Sequence, residues 1–445
     1  MAGKTDLKAL YNEPACAKSS AERKAACEKP EPGSSAAGCA FHGAYAALRP
    51  FTDCAHIVHS PATCKNVALG TNPVDGTPAH TVFCTDIKTN DLIFGGDEKL
   101  RSGVDTVFDR LAPKAIFLYA TCVSALIGED FDAVAREKEQ ELGIPVIPIH
   151  APGFVGNDFF GAKVAGVALL EAIIGRKEPE TTTPLDINLL GAFGTPEQMQ
   201  SYTRLLEKLG VRVLGTFGAE SPIGAMMCAH RAKLNVIVSS NTLITLARKM
   251  KERWKIPWVN VGFHGCRDTS DALRAIAQGF GDPLLLRKVE QIIAEEEQKL
   301  RDALAPLRVR LKKKKALLNA EGEKTWRYVS LLNDTQIDIT AVSIDKATDS
   351  DIETAQSYLF GRSIFMKEPD AEQEALIGEH GVDILLSEFS GRGTALRHNI
   401  AFMDIDAVDR ADYLGYEGSV RFCRDLVRAV ESPAFGIVRK EVAWM

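Results

Sequence analysis

A rhythm of short apolar runs alternating with amphipathic stretches starts three times along this 445-residue chain, and no other feature restricts the fold as much. The first start places a buried strand at 115–119 (AIFLY), a helix at 129–142, a strand at 145–149 (PVIPI) and a helix at 160–175. The second runs through a strand at 186–190 (DINLL), a helix at 196–209, a strand at 211–214 and a helix near 223–231. It continues with a strand at 235–239 (NVIVS), a helix at 241–253 and a strand at 257–261. The third places strands at 316–319, 337–342 and 382–386 (VDILL), with helices from 325 and at 350–358. Strands that are apolar throughout, separated by helices, belong to parallel sheets covered on both faces. The expectation is an α/β chain of three doubly wound domains, whose ligands sit beyond the carboxyl ends of the strands.

The boundaries follow from the starts. Residues 1–38, rich in Ala, Lys, Glu, Pro and Ser, read as an irregular arm, followed by domains at 39–182, 183–308 and 309–445. The segment 176–185 is the first linker, and 284–315 reads as a charged helix ending in RVRLKKKK, whose basic run is expected to be a solvated helix end or strand entry. Lys and Arg total 53 against 59 Asp and Glu, a net charge of −6, which argues against a nucleic-acid-binding face. The amino terminus has no signal-peptide core, and no run of about 18 apolar residues is long enough to span a membrane. The expected location is cytoplasmic, where thiols stay reduced.

That last point matters because six of the ten cysteines (Cys16, Cys27, Cys39, Cys54, Cys64 and Cys84) fall within the first 84 residues. Cys122 follows the strand 115–119 and precedes a helix, so its sulfur is expected at the carboxyl end of a sheet near a helix amino terminus, where a thiolate is favoured. Cys39 and Cys64 lie in loops containing Gly or Pro. Three soft thiolates from three loops suit an iron–sulfur cluster. No CxxC pair is present, so the residues alone leave the choice open between cluster ligands and scattered core cysteines.

Longer motifs narrow the choice. GCAFHGAYAALRPFTDCAHIVHSPATC (38–64) resembles the cluster-binding segment of the nitrogenase superfamily, and LYATCVSALIGEDFDAV (118–134) its third cysteine-bearing strand–loop–helix. APGFVGNDFFGAKVAGVALLEAIIG, DTSDALRAIA and LGYEGSVRFCRDL extend the likeness over nearly the whole chain. It looks most like the α-type scaffold subunits that assemble the nitrogenase cofactor, with the catalytic α-subunits more distant. The resemblance implies three Rossmann-like domains around a cofactor crevice. It implies an α2β2 complex with a homologous β-type subunit and an ATP-hydrolysing iron protein as electron donor. Carried over position by position, Cys39, Cys64 and Cys122 become ligands of an interfacial P-cluster or [4Fe–4S] cluster. A second, large nitrogenase-type iron–sulfur cofactor of unknown heterometal would sit inside the chain.

The chain also departs from those relatives. Where they hold the large cofactor through a cysteine after a second-domain strand, this chain has Ser239, a poor ligand for soft iron. Cys266, in GFHGCRDTSD, is expected to replace that thiolate. The histidine at the cofactor's other end is matched by Asp406 or its neighbour, a candidate oxygen ligand or contact. In NAEGEKTW, Gly322 keeps half of a cofactor-cradling Gly-Gly pair, and Lys324 could pair with cluster charge or an anionic substrate. His42 is positioned to donate a hydrogen bond or proton near the cluster, and His264 to deliver protons at the cofactor. His56 and His59 read as structural, and Cys54, Cys84, Cys228 and Cys423 as core residues.

The altered pocket favours an α-type catalytic subunit of a nitrogenase-like two-component metalloreductase, with ATP-dependent low-potential reduction at the large cofactor. Carbon–sulfur bond cleavage of methylthio-alkanes is the candidate chemistry. The alternative is a non-catalytic scaffold on which the nitrogenase cofactor matures.

Overall fold

The computed structural model describes residues 38–64, 82–218, 220–238, 243–321, 323–345, 357–359, 363–405 and 412–432. The expected helix at 350–358 lies outside them except for its last two residues, and the amino-terminal arm lies outside them except for Gly38.

The first sheet comprises β1 (Cys54–His59), β2 (Val82–Cys84), β3 (Ala115–Ala120) and β4 (Val146–His150), in the order β2-β1-β3-β4 and parallel throughout. β1 and β3 are buried at every position, which suits the apolar run of β3; β1 carries two buried histidines, His56 and His59, among its apolar residues. Their side chains alternate between two layers. Ile57, Ile116 and Leu118 pack against Leu100 and Val104 of helix Asp97–Leu111 and Phe131 and Val134 of helix Phe131–Leu142. On the other face, Val58, Phe117 and Tyr119 join a larger core with residues of helices Ala40–Leu48 and Asp158–Ala172.

The second sheet is β6-β5-β7-β8, formed by β5 (Asp186–Ala192), β6 (Arg212–Gly218), β7 (Leu234–Val238) and β8 (Trp258–Val261). β5 pairs parallel with both β6 and β7. Asp186, fully buried at the start of β5, accepts two hydrogen bonds of 2.7 Å from the Arg212 guanidinium. These bonds satisfy a carboxylate that would otherwise be costly to bury.

The third sheet contains β9 (Lys315–Asn319), β10 (Asp338–Ser343), β11 (Ile364–Met366), β12 (Ile384–Ser387) and β13 (Ala401–Asp404). Its order is β11-β10-β9-β12-β13, parallel at every pairing. The three starts read from the sequence are therefore three parallel sheets, each wound outward on both sides of its first strand.

The chain groups into two compact units. One, Met1–Phe193 with Arg212–Asn260, carries the first two sheets. The other, Gly194–Val211 with Val261–Met445, carries the third sheet and helices Pro196–Leu209, Gly265–Phe280, Pro283–Leu311 and Gly415–Val430. The basic run spans the end of the long helix and the entry to β9, as expected: Lys312 and Lys313 are exposed, while other members of the run have partners. Arg308 donates to the Asp334 carbonyl at 2.7 Å, Arg310 pairs with Glu431, Lys314 lies 2.8 Å from Asp383, and Lys315 donates to the His380 carbonyl at 2.7 Å. Among the described residues no helix is long and apolar enough to cross a membrane.

Candidate functional site

In the first sheet the chain leaves β1 toward β2 on one side, while β3 lies on the other. Loops at such a reversal part from one another and open a groove at the carboxyl ends of the strands. Cys64 follows β1 and Cys122 immediately follows β3, so two of the three expected ligands flank this point. Cys39 arrives differently, as the residue capping helix Ala40–Leu48.

Two glycines place that helix. A Cβ on Gly43 would fall 1.9 Å from the Asp158 carbonyl oxygen, and one on Gly161 would fall 1.9 Å from the Ala40 carbonyl oxygen. Only two bare backbones allow helices Ala40–Leu48 and Asp158–Ala172 to approach so closely. The Ala40 amide also donates to the Gly156 carbonyl at 2.9 Å. The helix amino terminus is thereby pinned to the turn that follows β4.

That turn contains Gly153. Its amide donates to the Cys122 sulfur at 3.1 Å. A Cβ there would stand 3.1 Å from the Cys122 sulfur and 3.4 Å from the Cys39 sulfur, so both sulfurs face one bare backbone position. Cys64 completes the group. Burial pushes its thiol above the usual range, and the proximity of Cys122, then Cys39 and Cys84, pushes it further. All of these thiols are free. The structure thus brings Cys39, Cys64 and Cys122 together from three separate elements.

Among the described residues, no three His, Cys, Asp or Glu side chains converge closely enough to chelate a single metal ion. Soft thiols spread around a glycine backbone, with an N–H aimed at one sulfur, fit an iron–sulfur cluster instead. His42 adds to this fit. Both its ring nitrogens are buried without a hydrogen-bond partner. Burial lowers its pKa, against the opposing pull of Asp158, which leaves a neutral imidazole near pH 7.

The loops are braced from behind. His59 and Glu129 form a buried ion pair, and Glu129 also accepts from the Gly96 amide at 2.6 Å. His59 Nδ1 lies 2.8 Å from Thr85 Oγ1, and the Thr121 hydroxyl donates to the His59 carbonyl at 3.1 Å. One histidine therefore ties together the segments that follow β1, β2 and β3. His56 Nδ1 meets the Tyr119 hydroxyl at 2.8 Å. Both histidines serve structure. The same elements also expose apolar side chains: Leu126, four residues beyond Cys122, Phe154, next to Gly153, and Phe159. Large apolar groups left in water mark a surface that a partner covers.

The residues expected around the large cofactor are less readily described. Ser239, Gly322 and Asp406 lie outside the described residues. The Cys266 thiol is pushed up to about 12, by burial first and then by the Asp334 and Glu297 carboxylates. Its amide donates to Asp334 at 2.7 Å. His264 is pushed down to about 3 by burial and the nearby Arg327 charge, and its Nδ1 is buried without a partner. Near neutrality its imidazole is uncharged. Lys324 Nζ stands 3.8 Å from the Glu388 carboxylate, so its charge is already shared between the segments that follow β9 and β12.

Sequence reasoning missed Gly153 and misplaced Cys84. The bare backbone at 153 is visible only once the sulfurs are seen on either side. Cys84, read as a core residue, is only partly buried, with its sulfur 3.3 Å from the Ser60 carbonyl oxygen, and so is Cys228; Cys54 and Cys423 are buried as expected.

Comparison with known proteins adds three findings. A family model described as nitrogenase component 1 type oxidoreductase matches residues 39–431. The chain is 38% identical to the nitrogenase iron-molybdenum cofactor biosynthesis protein NifE of Nostoc sp. over 95% of this chain and 89% of that one. It is 38% identical to the protein of the same name from Rhizobium meliloti, over 98% and 94% of the two chains, and 34% to that of Klebsiella pneumoniae, over 99% of each. A solved structure described as nitrogenase Cp1 at pH 5 superposes with a TM-score of 0.78 at 24% identity, covering 92% of this chain and 91% of that one, which bears on the fold alone.

Proposed function

The chain belongs to the nitrogenase component 1 type oxidoreductase family, and we propose that within it this chain is the α-type half of a scaffold on which an iron–sulfur cofactor is assembled. The observation that carries this reading is the meeting of Cys39 and Cys122 at Gly153, with Cys64 near both, at the β1/β3 reversal, in a chain whose relatives at 34–39% identity are named for cofactor biosynthesis. In this reading the three thiolates hold an interfacial iron–sulfur cluster, which supplies one-electron chemistry when bound. The chain's own part is to hold the sulfurs apart on three elements, to aim the Gly153 N–H at one of them, and to keep bulk away from that position. Leu126, Phe154 and Phe159 would be covered by a homologous β-type subunit. An ATP-hydrolysing iron protein would supply electrons.

The reductase expectation recedes because the relatives that match nearly the whole chain are named for cofactor biosynthesis. Methylthio-alkane cleavage finds no support in those names.

The test is anaerobic co-purification with the β-type partner, followed by two assays on the same preparation. Transfer of cofactor to a cofactor-free nitrogenase component 1, restoring its activity, is the expected result. Turnover of a methylthio-alkane with iron protein and ATP, without any such transfer, would return the chain to the reductases.

A further inference from the structure

The buried imidazoles of the first unit are not treated alike. His56 meets a tyrosine hydroxyl, and His59 meets a threonine and a glutamate. His42 makes no hydrogen bond among the described residues, although both its nitrogens are buried. A neutral imidazole carries one N–H donor and one lone-pair acceptor, and leaving both unmade away from water is unfavourable. A partner that does not belong to the described chain is therefore expected.

Its position indicates which partner. His42 lies three residues beyond Cys39 at the start of the same helix, so the two residues share one face of its first turn. Gly38 leads into Cys39 with a φ of +78°. A side chain there would begin 2.9 Å from His42 Nδ1, so the ring lies on the backbone that presents Cys39. Asp158 Oδ2 stands 3.4 Å from the same point, while Asp158 Oδ1 accepts from the Phe159 amide at 2.9 Å. The aspartate makes no hydrogen bond to the ring, so it does not complete it.

We propose that the His42 N–H donates a hydrogen bond to a sulfur of the iron–sulfur cluster held at Cys39, either the Cys39 thiolate or a bridging sulfide. This rests on the cluster reading of Cys39, Cys64 and Cys122. A hydrogen bond to a cluster sulfur stabilises the added electron and raises the reduction potential. Position 42 then sets how readily the cluster accepts and passes on an electron, independently of the ligands themselves.

The experiment uses the complex purified anaerobically with its β-type partner and histidine labelled with nitrogen-15. Pulsed electron paramagnetic resonance on the reduced cluster should show a weak nitrogen-15 coupling, lost in His42→Asn, which removes the label but keeps an N–H donor. Redox titration should give His42→Phe a more negative midpoint potential at unchanged iron content, with His42→Asn returning toward wild type. Absence of a histidine coupling in the wild-type cluster, or equal potentials in all three proteins, overturns the proposal. If His42→Phe fails to retain iron, the coupling in wild type and its loss in His42→Asn decide alone. A wild-type complex without cluster iron would instead remove the cysteine reading, and this proposal with it.

Discussion

The amide of Gly153 points at the sulfur of Cys122 across 3.1 Å, although 31 residues separate the two in the chain. The same glycine backs the Cys39 sulfur, so one backbone position serves two presumptive ligands through an N–H on one side and the absence of a side chain on the other. A Cβ would sit 3.1 Å from one sulfur and 3.4 Å from the other, close enough to displace both by a few tenths of an ångström. Gly153→Ala is expected to fold normally but to hold less iron per chain, and Gly153→Val to hold little. Iron and sulfide analysis checks this, and full iron content in the valine variant would refute it.

Cysteine substitutions should divide into two groups. Cys39→Ala, Cys64→Ala and Cys122→Ala should each lower cluster iron and change the low-temperature spectrum. Cys266→Ala should leave total iron unchanged, because Cys266 belongs to the other compact unit from the three grouped cysteines. Iron lost selectively from the larger cofactor in Cys266→Ala would restore that residue as a ligand.

Asp334 gives a pH signature. Its carboxyl is pushed up to about 6 by burial, against the stabilising contacts of Ser419 and the Cys266 amide. Its folded pKa lies above its unfolded one, so the folded state binds the extra proton between about pH 4 and 6. Stability therefore falls as pH rises through that window, and the penalty is complete above it. Asp334→Asn keeps an oxygen acceptor for the Cys266 amide and should be more stable than wild type at pH 7.5, by about 1–3 kcal/mol, with the difference shrinking by pH 4.5. Urea denaturation at the two pH values measures it. A difference that grows on acidification would contradict the sign.

The helix crossing should be intolerant of added bulk. Gly43→Ala or Gly161→Ala places a carbon 1.9 Å from a carbonyl oxygen of the opposing helix. Each should lose about 2 kcal/mol or more in chemical denaturation, and iron as well, because the same crossing positions Cys39. Gly378, inside helix Pro369–His380 with nothing within 4 Å of an added Cβ, is the control. Gly378→Ala should be neutral or stabilising by up to about 1 kcal/mol through helix propensity alone. Equal destabilisation at all three sites would mean that the close approach is not what matters.

Much of the fold was legible because parallel strands buried on both faces are mostly apolar. AIFLY and DINLL could scarcely be anything else, and they are β3 and β5. Short edge strands carried little signal, and β2 and β11 went unread at three residues each. The histidines of β1 were read correctly as structural, since a histidine inside a buried strand needs partners more than it offers chemistry. The basic run at 308–315 was read as a solvated helix end or strand entry, and Lys312 and Lys313 are exposed while Lys315 opens β9; which of its lysines also find partners, such as Asp383 and the His380 carbonyl, a local pattern cannot reveal.

By itself the sequence determined the class of architecture, three parallel α/β windings, and the identity of the soft donors that could bind iron. Both depend on side-chain type and local periodicity, which are properties of neighbouring residues. What the donors can do was decided only by the tertiary structure. It set Cys39 and Cys122 against one bare glycine with Cys64 near both, buried Cys266 near Asp334 and Glu297, and left the His42 ring without a hydrogen-bond partner among the described residues. Proximity, burial and the field of distant charges are properties of residues far apart in the chain, and they govern whether a thiol can become a ligand.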